Sequence, residues 1–402
     1  MSGSGYLERL LDGAAVEWVP LGELAELVRG NGLPKSDFTE TGVPAIHYGQ
    51  IYTHYGMSTT TTKSFVAPET AASLKKVNYG DIVITNTSEN FEDVATPLVY
   101  FGHEQAVTGG HATIIKPSNS LLAMYFAHFT QTPEFEGEKR RYAKGTKVID
   151  VSAVDMAKIL IPIPSPENPQ KSLAIQAEIV RILDAFTALT AELTAELTAE
   201  LTARKTQYNH YRNRLLNFEG GDVEWKTLGE VAVIGTGSRN TADAVPNGEH
   251  TFYARGKEQL RLNSFDFDEI AIITAGDGAG VGKVFHYATG KYALHQRAYR
   301  IVPTQLMLPR YVYHFIVAKF YEYIQRVSVS SSVTSLRMPM FLNFPIPVPP
   351  LAEQERIADI LDKFDTISTS LTEGLPREIV LRQKQYEYYR NLLLSFPKGD
   401  EA

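Results

Sequence analysis

One stretch of this chain has the composition of a nucleotide site: Gly276-Asp277-Gly278-Ala279-Gly280-Val281-Gly282-Lys283. A phosphate-binding loop of that kind needs a glycine five residues before its Gly-Lys pair and a Ser or Thr after the lysine to hold magnesium. Asp277 stands where the glycine is required and Val284 where the hydroxyl is. The run therefore reads as a glycine-rich hairpin or loop beside a ligand groove. The ten histidines form no H-E-x-x-H pattern and no i, i+4 pair for a metal. His47 and His54, seven apart in a Tyr-rich stretch, and His286 and His295, around another, read as ordinary surface or core histidines. There is no G-x-S-x-G elbow and no Asn-Pro-Pro-aromatic tetrad for methylating a base amine. With no cysteine at all, disulfides, Fe–S clusters and thiolate zinc sites are excluded. No catalytic, cofactor-binding or metal-ligating residue is legible.

What remains is recognition chemistry. Lys139, Arg140, Arg141, Lys144 and Lys147 cluster within nine residues. Further along, Arg239, Arg255, Lys257, Arg297, Arg300, Arg326 and Arg337 are more widely spread, with Tyr253 and Tyr299 among them. Arginine forks onto guanine and lysine neutralises phosphate, so these residues are the candidate DNA contacts; the competing reading is a solvated charged surface. The net charge of −7 argues mildly against nucleic acid. The balance is local, however: residues 19–160 carry 12 basic against 15 acidic side chains, and residues 226–345 carry 13 against 9.

The elements that must position these residues are written twice. Val16-Glu17-Trp18 with Leu21-Gly22-Glu23 recurs as Val223-Glu224-Trp225 with Leu228-Gly229-Glu230, and both tryptophans of the chain lie in this repeat. Ile161-Pro162-Ile163-Pro164 recurs as Ile346-Pro347-Val348-Pro349. Glu178–Phe186 matches Arg356–Phe364, and Arg204–Phe218 matches Arg382–Phe396, both shifted by 178 residues. Tyr6-Leu7-Glu8-Arg9-Leu10-Leu11 echoes Tyr211–Leu216. The order is cyclic: globular part, long helix, globular part, long helix.

Apolar residues at i, i+3, i+4 and i+7 predict helices from about Ser172 to Leu216 and from about Leu351 to Leu394. Each would span roughly 65 Å, and so long an amphipathic helix needs a partner over its length. Gly374 and Pro376 predict a kink or break in the second. Residues 190–201 read Thr-Ala-Glu-Leu three times, which equalises the two helices. Each tetrapeptide turns the helix about 400°, so successive leucines drift some 40° around one face. Leu189, Leu193, Leu197 and Leu201 are therefore expected to form a slowly winding seam against the second helix.

The globular parts read as strand-rich, with strands at Asp81–Asn86, Ala112–Pro117, Glu269–Thr274 and Lys283–Tyr287 and helices at Leu121–Gln131 and Pro309–Arg326. The expected fold class is α+β: two globular α/β parts separated by two long antiparallel helices in a coiled coil, with pseudo-two-fold, cyclic repeat symmetry. The segments are 1–18, 19–165, 166–222, 223–350 and 351–402. A 44% apolar and 21% charged composition is that of a globular protein. No apolar run approaches the roughly 18 residues of a membrane span, and the first residues lack a signal-peptide pattern, so cytoplasm is the expected location.

Two divergent globular parts, repeated long helices and the Thr-Ala-Glu-Leu array together resemble the specificity subunit of type I restriction–modification enzymes, IC subclass. The resemblance covers nearly the whole chain. It implies two target-recognition domains, 19–165 and 223–350, each reading half of a split double-stranded DNA site. It implies helices that dock modification subunits, two of them expected, and through them restriction (translocase) subunits. S-adenosylmethionine, ATP and Mg would belong to those partners, leaving this chain non-catalytic. The alternative is a non-DNA coiled-coil adaptor with two ligand-binding domains.

Overall fold

The structure, a computed structural model, describes residues 4–218, 223–327, 335–369 and 374–397. The chain divides into two compact units: residues 1–195 with 380–402, and residues 196–379. The cut falls inside the helix Pro169–Leu215, within the tetrapeptide array. No described helix is long and apolar enough to cross a membrane.

In unit 1 the repeated sequences meet as an antiparallel pair, Val16–Pro20 against Leu160–Pro164, with Trp18 opposite Pro162. Unit 2 builds the same pair from Glu224–Thr227 and Pro345–Val348, with Trp225 opposite Pro347. Proline suits such a two-stranded ribbon because its missing N–H can face outward. Between the ribbon strands, unit 1 has a five-stranded sheet in the order Ala25–Arg29, Ala112–Pro117, Ile82–Thr85, Pro97–Tyr100, Ser58–Thr59. Unit 2 has Ala232–Thr236, Ala298–Pro303, Ala271–Ala275, Phe285–Ala288 in the matching order. A second sheet follows the same plan in both. Val43–Ile46 runs parallel to Ala106–Thr108 in unit 1, and His250–Tyr253 parallel to Lys291–Leu294 in unit 2. Every residue of Ile82–Thr85 and Ala271–Ala275 is buried. These central strands are covered on both faces: Ile82 and Ile84 face the helices, and Val83 faces the second sheet's cluster.

The helix layer differs in one respect. Unit 2 has the single helix Pro309–Val327, whereas unit 1 has Ala123–Phe129 and then Pro133–Tyr142. Thr132 caps the second of these by accepting the Phe135 amide, and Pro133 occupies its first turn. Proline at that position starts a helix and stops the preceding one.

Three contacts tie each globular part's helices to the ribbon and to a long helix, and each occurs twice. The Tyr125 hydroxyl donates to the Pro162 carbonyl at 2.7 Å, and Tyr311 to Pro347 at 3.2 Å. Buried Gln176 accepts the Leu122 amide and donates to the Ser120 carbonyl. Gln354 does the same with Leu308 and Leu306. His128 Nε2 meets Asp184 at 2.8 Å, and His314 meets Asp362 at 2.6 Å. Burial lowers the pKa of both histidines, and the neighbouring carboxylate only partly opposes it.

The predicted helices hold: the first runs Pro169–Leu215, and the second breaks into Leu351–Thr369 and Leu375–Leu394. Gly374 marks the break with φ +78°, where a Cβ would lie 2.6 Å from the Thr366 carbonyl oxygen. Within unit 1 Phe186 meets Tyr389 at 5.6 Å, and within unit 2 Phe364 meets Tyr211 at 5.4 Å. The latter pair is the former shifted by 178 residues with the partners exchanged.

Of the leucine stripe, Leu189 is 51% exposed, whereas Leu193, Leu197 and Leu201 are half-buried. The ring contacts between the long helices are joined by Thr187, which reaches the Tyr386 hydroxyl at 3.0 Å.

Candidate nucleic-acid interface

The glycine-rich run forms the loop between the strands Ala271–Ala275 and Phe285–Ala288 of unit 2, and its glycines are explained by close approach rather than by phosphate. A Cβ on Gly276 would lie 2.7 Å from the Arg297 carbonyl oxygen, and one on Gly280 would lie 2.6 Å from that of Arg255. Gly278 and Gly282 adopt positive φ, +81° and +65°. Three loops are thereby drawn together. At their junction Asp277 accepts Arg255 at 2.9 Å on one carboxylate oxygen and Arg297 at 2.8 Å on the other. Burial would raise the Asp277 pKa, but the hydrogen bonds from Arg297 and Arg255 outweigh it and hold the carboxyl below its ordinary value. The acidic residue that defeats a phosphate-loop reading is the one that gathers the arginines.

Unit 1 has the same backbone framework at this edge. The Asn86 amide donates to the His111 carbonyl as Gly276 does to Arg297, and Val151 donates to Asn86 as Leu336 does to Gly276. The turns match as well: Ala112 closes onto Gly109, and Ala298 onto His295. Position by position, His111 thus stands where Arg297 stands, and Thr87 where Asp277 stands. Thr87 Oγ1 lies 2.9 Å from His111 Nδ1, and the His111 ring packs on Tyr48 at 4.8 Å. Tyr48 in turn packs on His47, whose pKa is lowered by burial and by Lys35.

The basic residues singled out in the sequence separate into groups. Lys139 is corrected: it is 7% exposed and donates to the carbonyls of Phe91 and Val94 at 2.9 and 3.1 Å, so its charge serves the fold. It lies i, i+4 from buried Phe135 on the inward face of its helix, while Arg140 and Arg141 face out. Arg140 is exposed, pairs with Glu136 and covers the Phe91 ring. Lys144 and Lys158 share Asp155, whose pKa falls through those hydrogen bonds. Arg141 and Lys147 are exposed.

In unit 2, Arg255 and Arg297 are brought together, and exposed Lys257 lies on the Arg255 loop, which His286 pins through the Gly256 carbonyl. Arg337 follows Leu336 at the edge of the same loop. Arg239 is committed to Asp266 at 2.8 Å, and Arg300 to Glu269 at 2.7 Å over the Phe267 ring. Arg326 sits near the end of its helix, lining a groove with Leu216, Phe218 and Trp225. Sequence reasoning missed His111 and Thr87 altogether. The repeats stop short of the variable loops, so no sequence signal marks these two.

Comparison with known proteins agrees with this duplicated architecture. Residues 15–203 and 221–381 each match the family described as type I restriction modification DNA specificity domain. The chain belongs to this family. Among its relatives, the Type I restriction enzyme EcoR124I/EcoR124II specificity subunit of Escherichia coli is 37% identical over 429 residues, covering 100% of this chain and 99% of the relative. The EcoprrI specificity subunit, also of Escherichia coli, is 30% identical, covering 93% of each chain. The HsdS subunit from Thermoanaerobacter tengcongensis has the same fold, with a TM-score of 0.53, 14% identity and coverage of 94% of this chain and 96% of that one. A chain solved in a study of complex assembly and conformational transition of the type I R-M system gives a TM-score of 0.65, at 16% identity and 94% and 97% coverage. Type I specificity subunits recognise DNA sequence and are not themselves catalytic; catalysis lies in the modification and restriction subunits.

Proposed function

We propose that this chain reads a bipartite, asymmetric DNA site, one half through each unit, and that its long helices dock two modification subunits and, through the complex, restriction subunits. The observation that carries this reading is the pairing of one framework with two chemistries. Both units present the same loop edge on the same sheet, yet one offers Thr87 and His111 and the other Asp277, Arg255 and Arg297. Two copies of one reader with different contacts suit two different half-sites. S-adenosylmethionine, ATP and Mg would be held by the partner subunits, in the cytoplasm.

On this reading the chain is a specificity subunit of the IC subclass, a reading that the Thr-Ala-Glu-Leu array supports, and the array acts as a ruler between the half-sites. One tetrapeptide adds about 6 Å and roughly 40° to a helix. A base pair advances about 3.4 Å and rotates about 34–36°. Removing residues 194–197 is expected to shorten the unread gap by about one base pair, because the rotation of one tetrapeptide matches one base-pair step. Mapping methylated adenines in a host expressing the deletion tests this; an unchanged gap with altered half-sites would refute it. The acidic net charge fits weak DNA binding by the isolated chain and tight, specific binding once modification subunits are added. A gel shift that finds no specific binding by the reconstituted complex would sink the whole reading in favour of an adaptor.

A further inference from the structure

We infer that Arg297 is the guanine-reading residue of unit 2, held in reading position by Asp277, and that His111 fills the same reading position in unit 1. The inference rests on the function proposed above and names the side chains that would carry it.

Arg297 lies in a turn whose backbone is fixed from several directions. Its amide donates to His295 Nδ1 at 3.0 Å, its carbonyl accepts Gly276 at 2.8 Å, and Ala298 closes the turn onto the His295 carbonyl at 3.0 Å. The guanidinium leaves this turn outward, 63% exposed, and gives one nitrogen, Nη1, to Asp277 Oδ2. Asp277 is only 20% exposed and is held from its other side by Arg255. An arginine braced by a carboxylate has lost much of its rotamer freedom before binding, while its remaining N–H donors stay available. Two parallel donors match the O6 and N7 acceptors of guanine in the major groove, which no other base presents as a pair. Arg239 and Arg300 lack this arrangement, because each is half-sequestered against its own carboxylate, with 33% and 19% exposure.

His111 reaches the same backbone position through equivalent hydrogen bonds, with Thr87 in place of the acid. An imidazole presents a single nitrogen beyond the Thr87 contact and lacks the two-donor fork. The two half-sites therefore differ at the base facing this position, guanine being demanded in only one.

The test uses the complex reconstituted with modification subunits, the split site being defined first by methylation mapping of the wild-type assembly. Arg297→Lys keeps the charge and removes the fork. It should reduce discrimination for guanine at one position of one half-site by roughly tenfold to hundredfold, leaving the other half-site and the gap unchanged. Arg297→Gln should shift that position toward adenine, whose N6 and N7 suit an amide. Asp277→Asn should relax the same position alone, and Asp277→Glu should restore part of it. His111→Ala should relax one position of the opposite half-site. If Arg297→Lys retains the wild-type base preference, or Arg297→Gln weakens binding equally to all sequences, Arg297 contacts phosphate and the assignment falls. If the wild-type assembly marks no split site, the proposed function itself fails, and this assignment with it.

Discussion

Units 1 and 2 share a set of interior contacts and carry different chemistry at an equivalent loop edge. Tyr125 and Tyr311, Gln176 and Gln354, and His128 and His314 make the same contacts to the ribbon and the long helices. At the loop edge, a threonine hydroxyl meeting an imidazole replaces an aspartate meeting two guanidiniums. The difference teaches where each kind of residue is constrained. Interior contacts satisfy buried polar atoms and permit few substitutes. The loop framework is held by main-chain hydrogen bonds, Asn86 to His111 and Gly276 to Arg297, in which the accepting residue contributes only its carbonyl and its side chain is left free to differ. One scaffold can thus carry unrelated recognition chemistry.

The comparison can be broken most forcefully in the shared interior. Leu183 and Leu361 are equivalent, fully buried residues of the two long helices. Leu183→Ala should cost unit 1, and Leu361→Ala unit 2, about 2–5 kcal/mol each. The chain's only tryptophans report them separately: denaturant unfolding in a Trp225→Phe background follows Trp18 and unit 1, and the converse background follows unit 2. Equal losses in both signals from one substitution would show that the units unfold as one. Leu189→Ala, at an exposed position just before the array, should change either signal by no more than about 0.5 kcal/mol.

A smaller effect is expected at the glutamine clamps. Gln176→Leu and Gln354→Leu each strand a part-buried backbone amide, at a cost of about 1 kcal/mol in the unit concerned. The same tryptophan backgrounds measure it, and no loss in either would mean the clamp is not needed for stability.

A pH effect is built into both units as well. His128 and His314 are held neutral by burial, so their folded pKa lies below the unfolded value near 6.5. As pH falls through 6.5 the unfolded chain takes up these protons first, and stability falls by up to about 1.4 kcal/mol per pH unit for each histidine until the folded pKa is reached. Above 6.5 the contribution is fully present. The groups facing them differ: Asp184 and Arg390 around His128, and Asp362, Arg310 and Asp365 around His314. Stability measured from pH 7.5 to 5.5 should lose its slope in unit 1 with His128→Gln and in unit 2 with His314→Gln. A slope that survives both changes would assign it elsewhere.

The sequence-level reading and the structure part company at particular residues. The helix break at Gly374 was legible because glycine followed by proline carries its consequence locally. The split of the unit 1 helix layer at Pro133 was equally local in cause. Lys139 was not legible: five basic residues in nine look alike on paper, and only the position of Phe91 and Val94 shows that this one points inward. In the leucine stripe the exposure of Leu189 was equally invisible, since it shares its type and spacing with half-buried Leu193, Leu197 and Leu201.

The sequence by itself determined the duplication, the two long helices, the repeated segments that open and close each globular part, and the absence of any legible catalytic pattern. Each of these is carried by local periodicity or by repeated words, which need no knowledge of distant contacts. Only the tertiary structure decided that Asp277 collects Arg255 and Arg297, that Thr87 and His111 are their counterparts, and that Lys139 is interior. Those facts depend on loops brought together across tens of residues by sheet topology and backbone hydrogen bonding, and no run of neighbouring side chains records them.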